Sequence, residues 1–291
     1  MKTGKTLEIP QSVHGARLDH ALALLLPESS LRERRRLWDE WAVLVDGKPR
    51  SKGFRVQAGQ TIAVVRQTRL NRSVFTAEKW PEVRIVARQG DFAALFKPAG
   101  LHTALVPSSR DPSLEQGLAA FFAEPGVRLL NRLDQLTSGL VLAACGSEAE
   151  KTYHRLQDSG QVLKYYLAVC RGRAEKAMSI RQRIHSAGTR KVRIAREQDP
   201  DPLRRTRIKP LAYDAQEDLS LVQALIFKGV RHQIRAHLSW LGHPLAGDPL
   251  YDTLRDRSAR LFHYHIEFPG FACALEPETH FLEKDDSWTF R

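Results

Sequence analysis

The chain has 291 residues, 42% hydrophobic and 27% charged, the composition of a globular protein with one large domain or two smaller ones. No apolar run approaches the ~18 residues of a membrane-spanning helix, and the opening MKTGKTLEIP lacks a signal-type apolar stretch. Cys145, Cys170 and Cys273 lack any paired spacing, so a cytoplasmic protein with reduced thiols, acting away from membranes, is expected.

Charge is more informative. The net charge is +12, of which residues 1–72 carry +7 and residues 73–291 only +5. Such concentration favours an anionic partner, nucleic acid first. A basic surface kept for solubility is the plainer alternative.

In chain order, ARLDHALALLLP sets Leu18, Leu22, Leu25 and Leu26 at the spacing of an amphipathic helix, which Pro27 stops. A second helix is predicted from Ser30, with Glu33 completing a capping box. Its apolar side is Leu31, Trp38 and Trp41; Arg32, Arg34, Arg35 and Arg36 make it basic. Strands from Ala42 to Val45 and Thr61 to Val65 follow, with turns at Asp46-Gly47 and Gly59.

Residues 1–68 resemble the ribosomal-protein-S-four-like RNA-binding domain. The likeness rests on Arg17-Leu18-Asp19, the arginine-rich helix, VLVDGKP (43–49) and AGQTIAV (58–64). It implies RNA contacts from Arg17, Arg32, Arg35, Arg36 and Lys48, against the alternative of a merely solvated basic face. Residues 69–82 lack periodicity and are expected to be a linker, with a second domain over 83–291.

In that second domain, RIVARQGDFAALFKPAG predicts two strands around Gln89-Gly90-Asp91, closed by Lys97-Pro98-Ala99-Gly100. LLNRLDQLTSGLVLAA (129–144) then places Arg132 and Asp134 on a polar turn between apolar runs. A fixed carboxylate there costs stability unless paired or wet. A structural salt bridge or an Asx-type turn explains it as well as chemistry does.

SEAEKTYHRLQDSG predicts a helix opened by a Ser147/Glu150 capping box, with Ala149, Tyr153 and Leu156 buried and Gly160 ending it. In the strand VLKYYLAVC, period two puts Lys164, Tyr166 and Ala168 on one face and Leu163, Tyr165, Leu167 and Val169 on the other. One face is expected to be core, and the aromatic and cation of the other could floor a planar base. Simple packing of Tyr166 remains the alternative.

Residues 173–210, polar and basic, read only as loops and short strands. LSLVQALIF is strand-like, and Gly229 turns the chain into a helix with Ile234, Leu238 and Leu241 buried and a stop at Gly242-His243-Pro244. Arg231, His232 and Arg235 crowd its start, opposing the helix dipole by about 0.3–1 kcal/mol each. An internal carboxylate or a bound phosphate should offset that, unless the arginines reach out to water. His232 with His237, and His263 with His265, lack an acidic partner, so no metal is expected, and no cofactor motif is present.

Together these stretches resemble the RluA-type family of RNA pseudouridine synthases. The family's H-R-L-D-x-x-T-S-G-L appears as Asn131-Arg132-Leu133-Asp134-Gln135-Leu136-Thr137-Ser138-Gly139-Leu140, and its H-Q-I-R as His232-Gln233-Ile234-Arg235. K-x-Y is Lys164-Tyr165-Tyr166, K-P-A-G is residues 97–100, and G-D-x-x-Y is Gly247-Asp248-Pro249-Leu250-Tyr251. Two departures stand out: Asn131 replaces the usual histidine, and the arginine of G-R-x-H is displaced to Arg231.

The resemblance implies an α+β fold, with a small two-helix-plus-hairpin RNA-binding domain before a mainly antiparallel catalytic domain with a central cleft. It implies isomerisation of uridine in ribosomal or transfer RNA by a monomer without cofactor. Asp134 would be the catalytic aspartate, Tyr166 the aromatic against the uracil, and Arg235 the ion-pair partner of Asp134. Arg132, Lys97, Lys164, His232 and Gln233 would bind substrate. The alternatives are an RNA-binding or ribosome-assembly factor retaining the fold, and a nucleoside hydrolase using Asp134.

Overall fold

The computed structural model describes residues 6–66, 75–106, 109, 111–185, 191–254, 258–276 and 288–290. The side chains of Arg36, Asp39, Glu40, Arg66 and residues 288–290 are outside that description, so the expected role of Arg36 lies outside the described residues. The chain divides into two compact units, one from residues 1–73 and one from residues 74–106 and 111–291.

In the first unit, strands β1 (Thr6–Glu8), β2 (Trp41–Val45), β3 (Lys48–Pro49) and β4 (Thr61–Arg66) pair antiparallel in the order β1-β4-β2-β3. The first helix, α1 (Leu18–Ala21), continues as a 3₁₀ turn over Leu22–Leu24. The second, α2 (Leu31–Glu40), starts as its sequence requires. Ser30 Oγ accepts from Glu33 N at 3.2 Å, and Glu33 Oε2 accepts from Ser30 N at 2.7 Å. Leu18, Leu22, Trp38, Val43, Val45 and Ile62 close a small core between helices and sheet.

The second unit is built on one large sheet. Its strands are β5 (Arg84–Gln89), β6 (Phe92–Lys97), β7 (Val127–Leu129), β8 (Ser138–Cys145), β9 (Leu163–Arg171), β10 (Met178–Ile180), β13 (Thr206–Asp214), β14 (Leu219–Ile226), β15 (Leu261–Phe268), β16 (Phe271–Ala274) and β17 (Trp288–Phe290); β11 (Gln182–His185) and β12 (Arg193–Gln198) form a separate hairpin. The main path runs β10-β13-β14-β9-β15-β8-β6-β5, antiparallel except where β15 meets β8. Helices α3 (Ser147–Asp158) and α4 (Gln233–Trp240) complete it.

The parallel β8–β15 contact explains one glycine. Gly139 adopts φ +113°, and a Cβ there would stand 2.2 Å from the carbonyl oxygen of His263. Only glycine lets the two backbones approach so closely.

Two local expectations need correction. Helix α3 has no Ser147/Glu150 capping box: Gly146 is the N-cap at φ +121°, Ser147 is already helical, and Glu148 and Glu150 complement the helix dipole. Strand β9 does not have one core face and one open face. Tyr166, Ala168 and Cys170 belong to the largest core cluster, while Leu167 and Val169 enter another on the opposite side. A strand central in a covered sheet is buried on both faces. Phe75 and Trp80, within the stretch read as linker, pack against the larger unit's core.

The candidate active site

In the larger unit, the loops after β6, before β8 and around the start of α4 line a cavity of about 1250 Å³. Asp134 stands in the loop between β7 and β8, and backbone bonds fix that loop along its length. Asn131 Oδ1 accepts from Leu142 N at 2.7 Å, and its Nδ2 donates to Leu140 O at 3.3 Å. Thr103 Oγ1 donates to Leu133 O at 2.8 Å and accepts from Leu133 N at 3.0 Å. Gly100 N donates to Gln135 O at 2.7 Å, and Thr137 N closes a turn onto Asp134 O at 3.0 Å. The carboxylate is thus carried on a backbone with little freedom to move.

Arg235 projects from α4, whose start is set by His232 as N-cap in the left-handed conformation, φ +58°. For a non-glycine residue that backbone costs roughly 1–2 kcal/mol. Arg235 NH1 donates to Asp134 Oδ2 at 2.8 Å. Its Nε and NH2 donate to Asp248 Oδ2 and Oδ1 at 2.6 and 2.9 Å. The offset that the crowded helix start demanded is therefore two internal carboxylates. Burial works against the guanidinium's charge, but the bonds and charges of Asp248 and Asp134 outweigh it and raise its pKa. The fully buried Asp248 also accepts from Leu250 N and Tyr251 N, so it is the anchor and the half-buried Asp134 the outer end of the triad.

Tyr166 lines the same cavity from β9. One face of its ring is covered by His263, with centroids 4.4 Å apart and planes at 15°. Burial raises its hydroxyl's pKa, so it stays protonated. Lys164, two residues earlier on the same face, is 3% exposed and lines the cavity as well. Burial lowers its pKa to about 8, and no carboxylate among the described residues pairs with it.

The remaining expected substrate contacts divide. Arg132 is exposed at the cavity rim, and His232 lines it with Nδ1 3.3 Å from Tyr251 Oη. Burial depresses the pKa of His232, against the opposing charge of Asp134. Gln233 touches the lining but its amide is engaged: Oε1 accepts from Val230 N at 3.0 Å, and Nε2 donates to Arg205 O at 3.1 Å and to Thr206 Oγ1 at 3.2 Å. It shapes the turn into α4.

Lys97 is corrected. It is fully buried beneath the loop and absent from the cavity lining, and its Nζ donates to Pro98 O at 2.8 Å and Leu101 O at 2.7 Å. Burial brings its pKa down to about 7, with Asp134 working the other way. It ties the loop together from below and is not placed to meet substrate.

In the smaller unit, Arg17 and Arg35 both bond the buried Asp19, at 3.0 and 2.8 Å, and each keeps 44% of its side chain exposed. Burial alone would raise the Asp19 carboxyl, but bonds from Arg17 and Arg35 bring it down to about 2. Arg32 and Lys48 are exposed.

Three residues at the site were not singled out from sequence. Asp248 stood within the quoted Gly247–Tyr251 motif, so its signal was there; His263 was weighed only with His265 as a metal pair, and Thr103 carried no signal beyond its residue type. Among the described residues no cluster of His, Cys, Asp or Glu could hold a metal ion, the three cysteines are unpaired, and no helix is long and apolar enough to cross a membrane.

The profile of the RNA pseudouridylate synthase family matches residues 91–240. The chain is 32% identical over 257 residues to ribosomal large subunit pseudouridine synthase D of Nitrosomonas europaea, covering 84% of this chain and 71% of that protein. The protein of the same name from Neisseria meningitidis serogroup A is 31% identical over 255 residues, covering 86% and 67%. Among solved structures, human RNA pseudouridylate synthase domain containing 1 superposes with a TM-score of 0.53 at 24% identity, over 72% of this chain and 89% of that one. Domain containing 4 gives 0.54 at 17%, over 68% and 90%, a likeness of fold. With a family profile over half its length and relatives along most of it, the chain belongs to the RluA-type RNA pseudouridine synthases and is an isomerase acting on RNA.

Proposed function

We propose that Asp134 is the catalytic carboxylate, that Tyr166 receives the target uracil, and that the substrate is large-subunit ribosomal RNA. One observation carries the assignment of the aspartate. Asp134 lines the cavity with its Oδ2 held by Arg235, which Asp248 locks in turn, and Tyr166 lines the same cavity. The choice of RNA is supported by the names of the relatives from Nitrosomonas and Neisseria.

In this reading the glycosidic bond of a uridine breaks, the uracil turns, and a carbon–carbon bond forms to the same ribose. The reaction is redox-neutral, and one carboxylate suffices, unlike the paired acids of glycoside hydrolysis. Extruding the base costs a few kcal/mol. Stacking on Tyr166, which lines the cavity, worth about 1–3 kcal/mol by analogy with single-strand binders, offsets part of it.

Residues 1–68 act as the ribosomal-protein-S-four-like RNA-binding domain, with Arg17, Arg32, Arg35 and Lys48 toward phosphates. Arg17 and Arg35 can do so while bonded to Asp19, since 44% of each side chain stays exposed. The reading is tested by mapping pseudouridines in ribosomal and transfer RNA with and without the gene. Loss of one or a few large-subunit sites is expected; unchanged ribosomal maps would overturn the choice of RNA.

A further inference from the structure

The described part of the basic stretch that the sequence left unorganised has a definite place. Residues 181–198 hold six Lys/Arg and one Glu, a net +5, which equals the whole excess of residues 73–291. Outside this stretch residues 73–291 carry no net charge. The strands β11 and β12 pair here, and Ile184 and Ile194 lay the hairpin's apolar side on Ala236 of α4 and on Tyr251.

Between hairpin and helix lies a second groove, of about 650 Å³, lined by Lys191, Val192, Arg193, Ser239, Trp240 and Tyr251. Trp240 ends α4 and is 48% exposed, one of few large apolar side chains left in water among the described residues. Tyr251 lines this groove and reaches two residues of the catalytic cavity, His232, whose Nδ1 is 3.3 Å from its hydroxyl, and Arg235. Lys191 Nζ lies 4.8 Å from its ring centroid and Arg235 Cζ 5.4 Å from the same centroid. Its hydroxyl accepts from Val192 N at 3.3 Å, joining the hairpin to the site.

We infer that this groove binds a nucleotide flanking the target uridine, on the same RNA strand. Trp240 stacks its base, and the hairpin cations, Arg193 and Lys191 foremost, hold its phosphates. A planar aromatic beside a dense positive face is the combination that binds single-stranded nucleic acid without reading its sequence. The contacts of Tyr251 with His232 and Arg235 of the catalytic cavity favour the substrate strand over an unrelated ligand. The inference rests on the synthase reading, and it adds a subsite to it.

The test uses the full chain and an unmodified large-subunit ribosomal RNA transcript. Trp240→Ala should raise KM about tenfold with kcat retained, as loss of one base stack implies, while Trp240→Phe stays near wild type. Replacing Lys191 and Arg193 by Ala should lower the slope of log KM against log salt by about one to two. Filter binding of the same transcript in an Asp134→Asn background separates the subsite from the chemistry. If the synthase reading failed but the groove were real, Trp240→Ala would still weaken that binding. Unchanged KM, salt slope and binding in these variants would overturn the subsite and leave the face to a protein partner or a second copy.

Discussion

The ring of Tyr166 lies parallel to that of His263, centroids 4.4 Å apart, so the histidine backs the surface that meets the cavity. His263 Nδ1 donates to Leu140 O at 2.5 Å, which leaves Nε2 a buried acceptor without a partner. Losing the backing ring should tilt Tyr166, and misplacements of an ångström cost about 10²-fold in rate. His263→Ala is expected to lower kcat on that order with RNA affinity kept. His263→Phe, which restores a flat ring, should recover most of it. Steady-state kinetics with filter binding checks both.

The same histidine fixes a pH dependence of stability. Burial pushes its pKa down to about 3 from an ordinary 6.5. Between those values the unfolded chain holds more protons than the native one, so stability falls as pH drops through that window. Urea midpoints measured from pH 7 to pH 4 should fall more steeply in wild type than in His263→Phe.

Asp248 grips two nitrogens of Arg235 and leaves the third for Asp134. Breaking such a buried pair from one side typically costs about 3–5 kcal/mol. Asp248→Asn should therefore lower the urea midpoint and reduce kcat, since Arg235 would no longer be held toward Asp134. Arg235→Lys should fare no better, because one ammonium cannot bridge both carboxylates with the guanidinium's planar geometry.

Lys164 places stability and function in opposition. Its pKa, about 8 against an ordinary 10.5, means the native state holds fewer protons than the unfolded chain between those values. Stability contributed by this group rises with pH across that window, and the full penalty of the buried charge is present at pH 7. Lys164→Met is expected to resist urea better at pH 7 than wild type. It should also raise KM about tenfold, the worth of one hydrogen bond to a charged group. In wild type, KM should climb above pH 8 as the ammonium is lost.

Asn131, where the family has histidine, spans the loop by bonding Leu142 N and Leu140 O. Asn131→Ala leaves a buried amide unpaired and should cost about 1–3 kcal/mol in chemical denaturation. Asn131→His, if histidine performs the same bridging, should keep both stability and activity within a few-fold of wild type.

Much of this was legible in the amino-acid order because period and capping are local. The Ser30–Glu33 box, the strands flanking Gln89-Gly90-Asp91 and the apolar line of α4 each follow from neighbouring residues. The likeness to a family brought Asp134, Tyr166 and Arg235 together across more than 100 positions, which spacing alone could not do. What stayed hidden depends on contacts distant in sequence. Thr103 clamps Leu133 from 30 residues away, and His263 meets Tyr166 only through the pairing of β15 with β9. Lys97 misled for the same reason, since a lysine under a loop and one facing substrate are identical in sequence. The hairpin of β11 and β12 was unreadable because its strands are short and its charges mask the alternation of Ile184 and Ile194.

The central claim is that one carboxylate, Asp134, performs the isomerisation. Asp134→Asn keeps the shape and removes the charge, so the most direct measurement is pseudouridine formed per enzyme in an unmodified large-subunit ribosomal RNA transcript. The variant is expected to bind the transcript as wild type does and to form no pseudouridine above background. Pseudouridine formation at the wild-type rate by Asp134→Asn would contradict the account.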